Sequence, residues 1–323
     1  MTDREPLHSR IAGTLVEAMY HGGATLSGLH PGARPKRHGV VRHDDIAYRR
    51  SGLDAHHLDI YRPQHAESAP VVFYVHGGGF RFMTRRTHWL MGLAFARKGY
   101  VTVNIDYRLA PEHPFPAALV DTCHAYQWVC RNIEEYGGDP SRIVVAGESA
   151  GANLALNIAL ASCQRRNEAW MRRVYDCQTV PTAALLACGI LEVRRPRRFQ
   201  RIIDDLPTWL FHRIAEVYGD YVEPSALRDE PCCQLADPLC ILEKMTKSRR
   251  PLPPVFAPCG TADPLLDDTR RLEKALKRLD VPVDARYYDG EVHAFHALLW
   301  RQQARQCWRQ IYDFLDDHAP VSR

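Results

Sequence analysis

The stretch Ile143-Val-Val-Ala-Gly-Glu-Ser-Ala-Gly-Ala-Asn-Leu-Ala-Leu156 decides the fold of this chain. Four apolar residues end at Gly147, a Gly-x-Ser-x-Gly sequence follows, and a run of small residues with helical character comes next. This order predicts a buried strand, a sharp turn and a helix. The glycines leave room where a β-carbon would collide with the neighbouring strand and helix. Ser149 is therefore a candidate nucleophile, because a catalytic serine hydroxyl must stand clear of the backbone.

A second glycine motif follows a second apolar strand. Residues 70–75 are continuously apolar after the first proline, and they lead directly into His76-Gly-Gly-Gly-Phe80. Consecutive glycines let the main chain pass close to a ligand and direct its amides toward it, although a flexible turn is the alternative. The amide of Ala150, at the first turn of the helix after the serine, points to the same region. We predict that these amides form an oxyanion hole.

Strands alternate with helices through residues 70–188 and again through residues 254–317. This alternation predicts an α/β fold with a mostly parallel, doubly wound sheet, in which ligands bind at the carboxyl ends of the strands. Two segments, 41–49 and 56–61, have the pattern of short strands and are separated by Ser51-Gly52. They predict an antiparallel hairpin at an edge of the sheet.

The alternation stops between the two α/β regions. There, aromatic and aliphatic residues recur at helical spacing and no strand-like run is present, which predicts a helical cap. Trp209 and Phe211 in this region are candidate contacts to the substrate, although packing inside the cap is the alternative. The predicted domains are an N-terminal helical segment contributing to the cap (1–40), the core (41–190 and 251–323) and the cap insertion (191–250).

Composition limits the class of protein. The 323 residues are 46% hydrophobic and 25% charged, as in an ordinary globular protein. No apolar run reaches the roughly 18 residues of a membrane span, and the first residues lack an apolar signal core, so we expect a cytoplasmic protein without stable membrane insertion. A net charge of +4 is too small to indicate nucleic-acid binding. The ten cysteines lack zinc-ligand spacing and are expected to be free thiols, with no metal or cofactor.

A nucleophilic serine needs a base and an orienting carboxylate, and the chain order Ser, Asp, His is expected for this topology. Asp263 follows the strand that ends at Cys259, and His293 follows the strand that ends at residue 288. Both would reach the sheet edge of Ser149. A helix cap is the alternative role for Asp263, and His296 is the alternative base, but we expect His296 to lie where the closing helix has begun.

Five motifs now occur in one order along the chain. The chain resembles the bacterial hormone-sensitive-lipase-like carboxylesterases of the α/β-hydrolase fold over about residues 55–318. The motifs are HGGGF (76–80), DYRLAPEHPFPAA (106–118), GESAGANLAL (147–156), DPLLDD (263–268) and HAF (293–295). The departures are Glu148, Ala152 and Ala294, which stand where other residues are common in that family.

The resemblance implies Ser149 as nucleophile, Asp263 as orienting acid and His293 as base. It implies oxyanion amides at Gly77, Gly78 and Ala150, a helical cap, and an edge-strand homodimer. Phe80 is grouped with the cap aromatics as a substrate contact.

We therefore expect a serine esterase that acts on small to medium acyl esters through an acyl-enzyme, without metal or cofactor. An amidase, formamidase or deacetylase with the same triad is the alternative, and an inactive ligand-binding receptor is a further one. Basic residues flank the predicted cap on both sides, which suggests a basic rim that attracts anionic esters; a solvated linker is the alternative. These residues are Arg194, Arg195, Arg197, Arg198, Arg201, Lys244, Lys247, Arg249 and Arg250.

Overall fold

The computed structural model describes residues 22, 28, 30–195, 219–222 and 231–321. An eight-stranded sheet runs through them in the order β1-β2-β4-β3-β5-β6-β7-β8. The strands are β1 (Val40–Ala47), β2 (His57–Pro63), β3 (Ala69–Val75), β4 (Val101–Ile105), β5 (Gly138–Glu148), β6 (Ala183–Ala187), β7 (Val255–Gly260) and β8 (Val283–Tyr288).

The six strands from β4 to β8 in the sheet are parallel to one another, while β1 and β2 are antiparallel to their neighbours. Strands β3 and β6 are buried along their whole length, as expected for strands covered by helices on both faces. The predicted mostly parallel, doubly wound sheet is confirmed. The antiparallel hairpin at its edge is also present.

Helices cover both faces of the sheet. The described helices are α1 (Trp89–Ala96), α2 (Ala117–Asn132), α3 (Ala150–Cys163), α4 (Ala169–Asp176), α5 (Pro238–Lys244), α6 (Leu266–Arg278) and α7 (Gln302–His318). Alternate residues of β3 belong to two separate cores: Val71 and Phe73 belong to the core that includes residues of α2, α3 and α6, whereas Val72 and Tyr74 belong to the core that includes residues of α1 and α7. The period of two along a strand therefore assigns each helix to its face.

Three local expectations differ from the structure. Helix α4 was not expected between α3 and β6; it is short, and its buried residues are Met171 and Val174. Residues 31–38 of the predicted N-terminal segment form two short 3₁₀ helices, each with a proline at its start. In the predicted cap interval, the described residues include α5, which packs its Leu239 and Leu242 into the core. The predicted domain boundaries remain a prediction.

No helix in the described part of the chain is long and apolar enough to cross a membrane. All ten cysteines are free thiols, as expected.

Candidate active site

Ser149 lies between β5 and α3 in a conformation that L-residues rarely adopt, with φ 54° and ψ −118°. Backbone hydrogen bonds hold it on both sides: its amide donates to the carbonyl of Ala187 at 2.9 Å, and its carbonyl accepts from the amide of Ile190 at 3.1 Å. The residue is 6% exposed. The sheet therefore stabilises a strained turn that places the serine at the start of a helix.

Close packing requires a glycine at position 151, two residues after the serine. A β-carbon at Gly151 would lie 2.0 Å from the carbonyl oxygen of Val75 and 2.6 Å from that of His76. Both contacts are to backbone, so neither can be relieved by a rotamer change. The turn can form beside β3 only with glycine at this position.

We expect Gly151→Ala to lower the free energy of unfolding by at least about 3 kcal/mol, because overpacking against backbone forces β3 or α3 to shift. Thermal unfolding followed by circular dichroism measures this change. Gly219→Ala is the matched control, since a β-carbon at Gly219 meets nothing within 4 Å. Equal melting temperatures for the two variants would contradict the packing argument.

The acid and base predicted from the sequence are in direct contact. Asp263 follows β7, His293 follows β8, and the imidazole Nδ1 lies 2.8 Å from Oδ2 of the carboxylate. The other oxygen, Oδ1, accepts from the amide of Leu265 at 2.8 Å, although the N-cap of α6 is Leu265 and not Asp263. Asp263 is 4% exposed. Burial lowers the pKa of His293, but Asp263 and Cys188 together raise it by more, so that the pKa lies well above its ordinary value.

The imidazole has a second neighbour that sequence reasoning did not select. Cys188 immediately follows β6, and its thiol, the His293 nitrogen and the Asp263 oxygen lie within 4.8 Å of one another. Its place at a strand end, the criterion that selected the other two residues, could have identified it. These three residues are the only group of metal-type ligands in the described part of the chain. A metal there would have to break the 2.8 Å bond between His293 and Asp263.

Ser149, Asp263 and His293 all stand at carboxyl ends of parallel strands. Among the described residues, no hydrogen bond joins the Ser149 hydroxyl to His293. Such bonds are often long without substrate and shorten when it binds.

The alternative base, His296, occupies a different environment. It lies in a single 3₁₀ turn, Phe295–Ala297, and the closing helix begins only at Gln302, so our reason for setting it aside was wrong. His296 is 4% exposed, and burial lowers its pKa to about 4. Its Nε2 lies 4.0 Å from a carboxylate oxygen of Glu148. His293, and not His296, is the histidine bonded to Asp263.

The glycine loop after β3 differs from its predicted use. The amide of Gly77 donates to Glu148 Oε1 at 2.6 Å, which is contrary to its expected role as an oxyanion donor because the amide is already engaged. The amides of Gly78 and Gly79 donate to no other described residue. Both glycines have positive φ, 100° and 58°, which glycine adopts at little cost. Ala150 is the first residue of α3, where an amide has no acceptor within the helix.

Residues of the second long motif support this loop. The hydroxyl of Tyr107 donates to the carbonyl of His76 at 2.9 Å, and the two rings stack with centroids 4.3 Å apart. Asp106 accepts from the amide of Arg85 at 2.6 Å and pairs with its guanidinium. These contacts of the 106–118 motif therefore fix the path of the glycine loop.

Of the three predicted substrate contacts, only Phe80 lies within the described residues. Phe80 is fully buried, and its ring stacks on Tyr221 with centroids 3.6 Å apart and an interplanar angle of 4°. This packing makes Phe80 a support of the glycine loop, and its contact with substrate remains a prediction. Trp209 and Phe211 lie outside the described residues.

Three of the described arginines of the predicted basic rim are engaged within the protein. Arg194 pairs with Asp237 at 2.6 Å, and Arg195 pairs with Glu192. Arg250 donates to backbone carbonyls and lies over the ring of Tyr175. These contacts occupy three of the cations, whereas Lys244, Lys247 and Arg249 are exposed, so the attraction of anionic esters by this rim remains a prediction. The rim residues 197, 198 and 201 lie outside the described part.

Comparison with known proteins agrees with this geometry. The carboxylesterase NlhH of Mycobacterium tuberculosis is 48% identical over 94 residues, which are 29% of this chain and 30% of that protein. The chain thus matches less than a third of this relative's length. The esterase LipW of Mycobacterium marinum is 25% identical, with a TM-score of 0.74 over 94% of this chain and 89% of its own. An esterase from the bacterial hormone-sensitive lipase family is 24% identical, with a TM-score of 0.71 over 94% and 90% of the two chains.

The sheet order and the strained serine turn define a protein of the α/β-hydrolase class. The chain belongs to the family described as alpha/beta hydrolase fold, whose pattern matches residues 72–297. The resemblance to bacterial hormone-sensitive-lipase-like esterases is confirmed.

Proposed function

We propose that this protein is a serine carboxylesterase that hydrolyses small to medium acyl esters through an acyl-enzyme. The observation that carries the proposal is the 2.8 Å bond between His293 Nδ1 and Asp263, on the sheet edge where Ser149 is held in its strained turn. A hydrogen-bonded acid and base beside a positioned hydroxyl form the arrangement that activates a serine.

In the proposed reaction, His293 takes the proton of Ser149 as its oxygen attacks the ester carbonyl. Asp263 holds the imidazole with its hydrogen on Nδ1 and stabilises the imidazolium that forms. The proton then passes to the departing alcohol, which leaves the acyl group on Ser149. Water, deprotonated by the same imidazole, attacks the acyl-enzyme and releases the carboxylic acid.

The negative charge that develops on the carbonyl oxygen needs hydrogen-bond donors that are not already used. We assign this role to the amides of Gly78, Gly79 and Ala150. Gly79 replaces Gly77 in the set expected from the sequence, because the Gly77 amide is bonded to Glu148.

A chain-length panel of p-nitrophenyl esters tests the proposed activity. We expect hydrolysis of short and medium acyl chains, with kcat/KM falling for long ones, and slower turnover of matched p-nitroanilides because the amine is a poorer leaving group. Faster hydrolysis of the anilides would favour the amidase alternative. Absence of hydrolysis of every ester and amide, together with tight binding of one of them, would favour the receptor alternative.

A further inference from the structure

A buried acid precedes the candidate nucleophile and has no role in the proposed reaction. Glu148 is the last residue of β5 and is 4% exposed. Its Oε1 accepts from the amide of Gly77 at 2.6 Å and lies 2.8 Å from Nε2 of His88. One carboxylate oxygen thus contacts both the glycine loop and a histidine.

The other contacts of His88 indicate where its hydrogen lies. Nδ1 is 3.2 Å from the carbonyl oxygen of Thr84 and 3.0 Å from the hydroxyl of Thr87. A carbonyl only accepts, and the Thr87 hydroxyl itself donates to the Thr84 carbonyl at 2.7 Å. We therefore assign a hydrogen to Nδ1.

With that hydrogen on Nδ1, the 2.8 Å contact between Nε2 and Glu148 Oε1 requires a second proton. The proton makes the pair either imidazolium and carboxylate or imidazole and carboxylic acid. Without it, two lone pairs would face each other at hydrogen-bond distance. One proton is therefore shared between Glu148 and His88.

The described groups around Glu148 offer little other positive charge to offset the burial of its carboxylate. His296 Nε2 lies 4.0 Å from Oε2, and the ring of His76 stacks on His88 at 5.5 Å. Burial lowers the pKa of each of these two histidines to about 4, so both are neutral near pH 7. Burial also raises the pKa of the Glu148 carboxyl to about 8. Within the described part of the chain, the other charged groups nearby are His293, whose charge acts on Glu148, its partner Asp263, and the pair Asp106 and Arg85 beside His76.

We propose that Glu148 and His88 are positioning residues that hold one proton between them and thereby fix the glycine loop at Gly77. When the proton leaves to solvent, the contact between Nε2 and Oε1 becomes repulsive and the pair separates. The Gly77 amide then loses its fixed acceptor, and the neighbouring Gly78 and Gly79 amides lose their alignment. The consequence for catalysis rests on the proposed esterase function, whereas the shared proton does not.

The first experiment measures kcat against pH between about 6 and 10 for the wild type, Glu148→Gln and His88→Asn, with a short p-nitrophenyl ester. The wild-type kcat should fall above about pH 8. Glu148→Gln should lose about tenfold in kcat at pH 7 and show no such fall, because glutamine has no proton to release. His88→Asn should move the fall by at least about half a pH unit, since each member of a coupled pair sets the titration of the other.

Glu192→Gln is the matched control. Glu192 is also buried, but its charge is paired with Arg271, and this substitution should leave the alkaline fall in place. An alkaline fall that persists unchanged in Glu148→Gln would overturn the proposal. A fall that Glu148→Gln abolishes but His88→Asn leaves unmoved would show that the proton is not shared, and would overturn it as well.

The second experiment does not depend on catalysis. The folded pair holds a proton that an unfolded glutamate, with its ordinary pKa of 4.5, releases. Stability from this proton is therefore complete below about pH 4.5 and is lost as pH rises through about 8. In a Ser149→Ala background, the melting temperature should fall by several degrees relative to that of the additional Glu148→Gln variant between about pH 5.5 and 8.5. If the melting temperatures of the two variants changed with pH in parallel, the shared proton would be refuted, even if the protein proves to be no esterase.

Discussion

Replacing Ser149 by alanine should lower kcat for p-nitrophenyl ester hydrolysis by about four to six orders of magnitude. The substitution removes the oxygen that we assign to the acyl-enzyme and leaves the amides of Gly78, Gly79 and Ala150 in place. KM should change little, because the contacts that bind the ground state do not include the hydroxyl. Steady-state rates with one short ester measure both constants.

A covalent label gives an independent readout of the same residue. Paraoxon should add a diethylphosphoryl group to Ser149 of the wild type, with p-nitrophenolate as the leaving group, and should not modify Ser149→Ala. Ser162→Ala is the matched control, since its hydroxyl is buried on the same helix and donates to the carbonyl of Ala159. Phosphorylation of Ser149→Ala at another residue, with its rate retained, would refute the assignment of the nucleophile.

Asp263→Asn should lower kcat by about four orders of magnitude, although the two side chains have the same shape. An amide that donates toward Nδ1 of His293 favours the tautomer with the hydrogen on the other nitrogen, which cannot take the serine proton. Asparagine also removes the charge that stabilises the imidazolium. Rates of the purified variant at its own optimum pH measure the effect.

The pH dependence of kcat/KM separates this mechanism from a general loss of structure. His293 accepts a proton only when neutral, so activity is lost as pH falls through its pKa, which Asp263 raises. Asp263→Asn should therefore move the acid limb to lower pH. Asp267→Asn, on the exposed first turn of α6, should leave both kcat and the limb unchanged. An acid limb that stays in place in Asp263→Asn would contradict the assignment of His293 as the titrating base.

The acid and base were accessible from the sequence because their positions follow from topology. Parallel strands end on one edge, and Asp263 and His293 are polar residues just beyond two such ends. The turn at Ser149 was also predictable, because a β-carbon at Gly151 would clash with backbone and the packing therefore requires glycine there. Local patterns of this kind can be recognised in a single sequence.

The roles of Gly77 and Glu148 were not accessible in the same way. Their contact joins residues 71 positions apart, and no spacing rule distinguishes an amide that faces a carboxylate from one that faces a ligand. Phe80 gave the same difficulty, because an aromatic residue beside a glycine loop is compatible with a pocket wall or with packing on Tyr221. Where a contact between distant segments decides how a group is oriented, the local sequence does not determine that orientation.

The turn at Ser149 is fastened to its neighbour segment by the amide of Ile190 and the carbonyl of Ala187. These are backbone groups, so the identity of the side chains across that short segment is not what keeps the nucleophile in place. A replacement that keeps the backbone path leaves these two bonds in place, whereas the insertion or deletion of one residue would shift both attachment points at once. The serine turn therefore constrains the length of this segment.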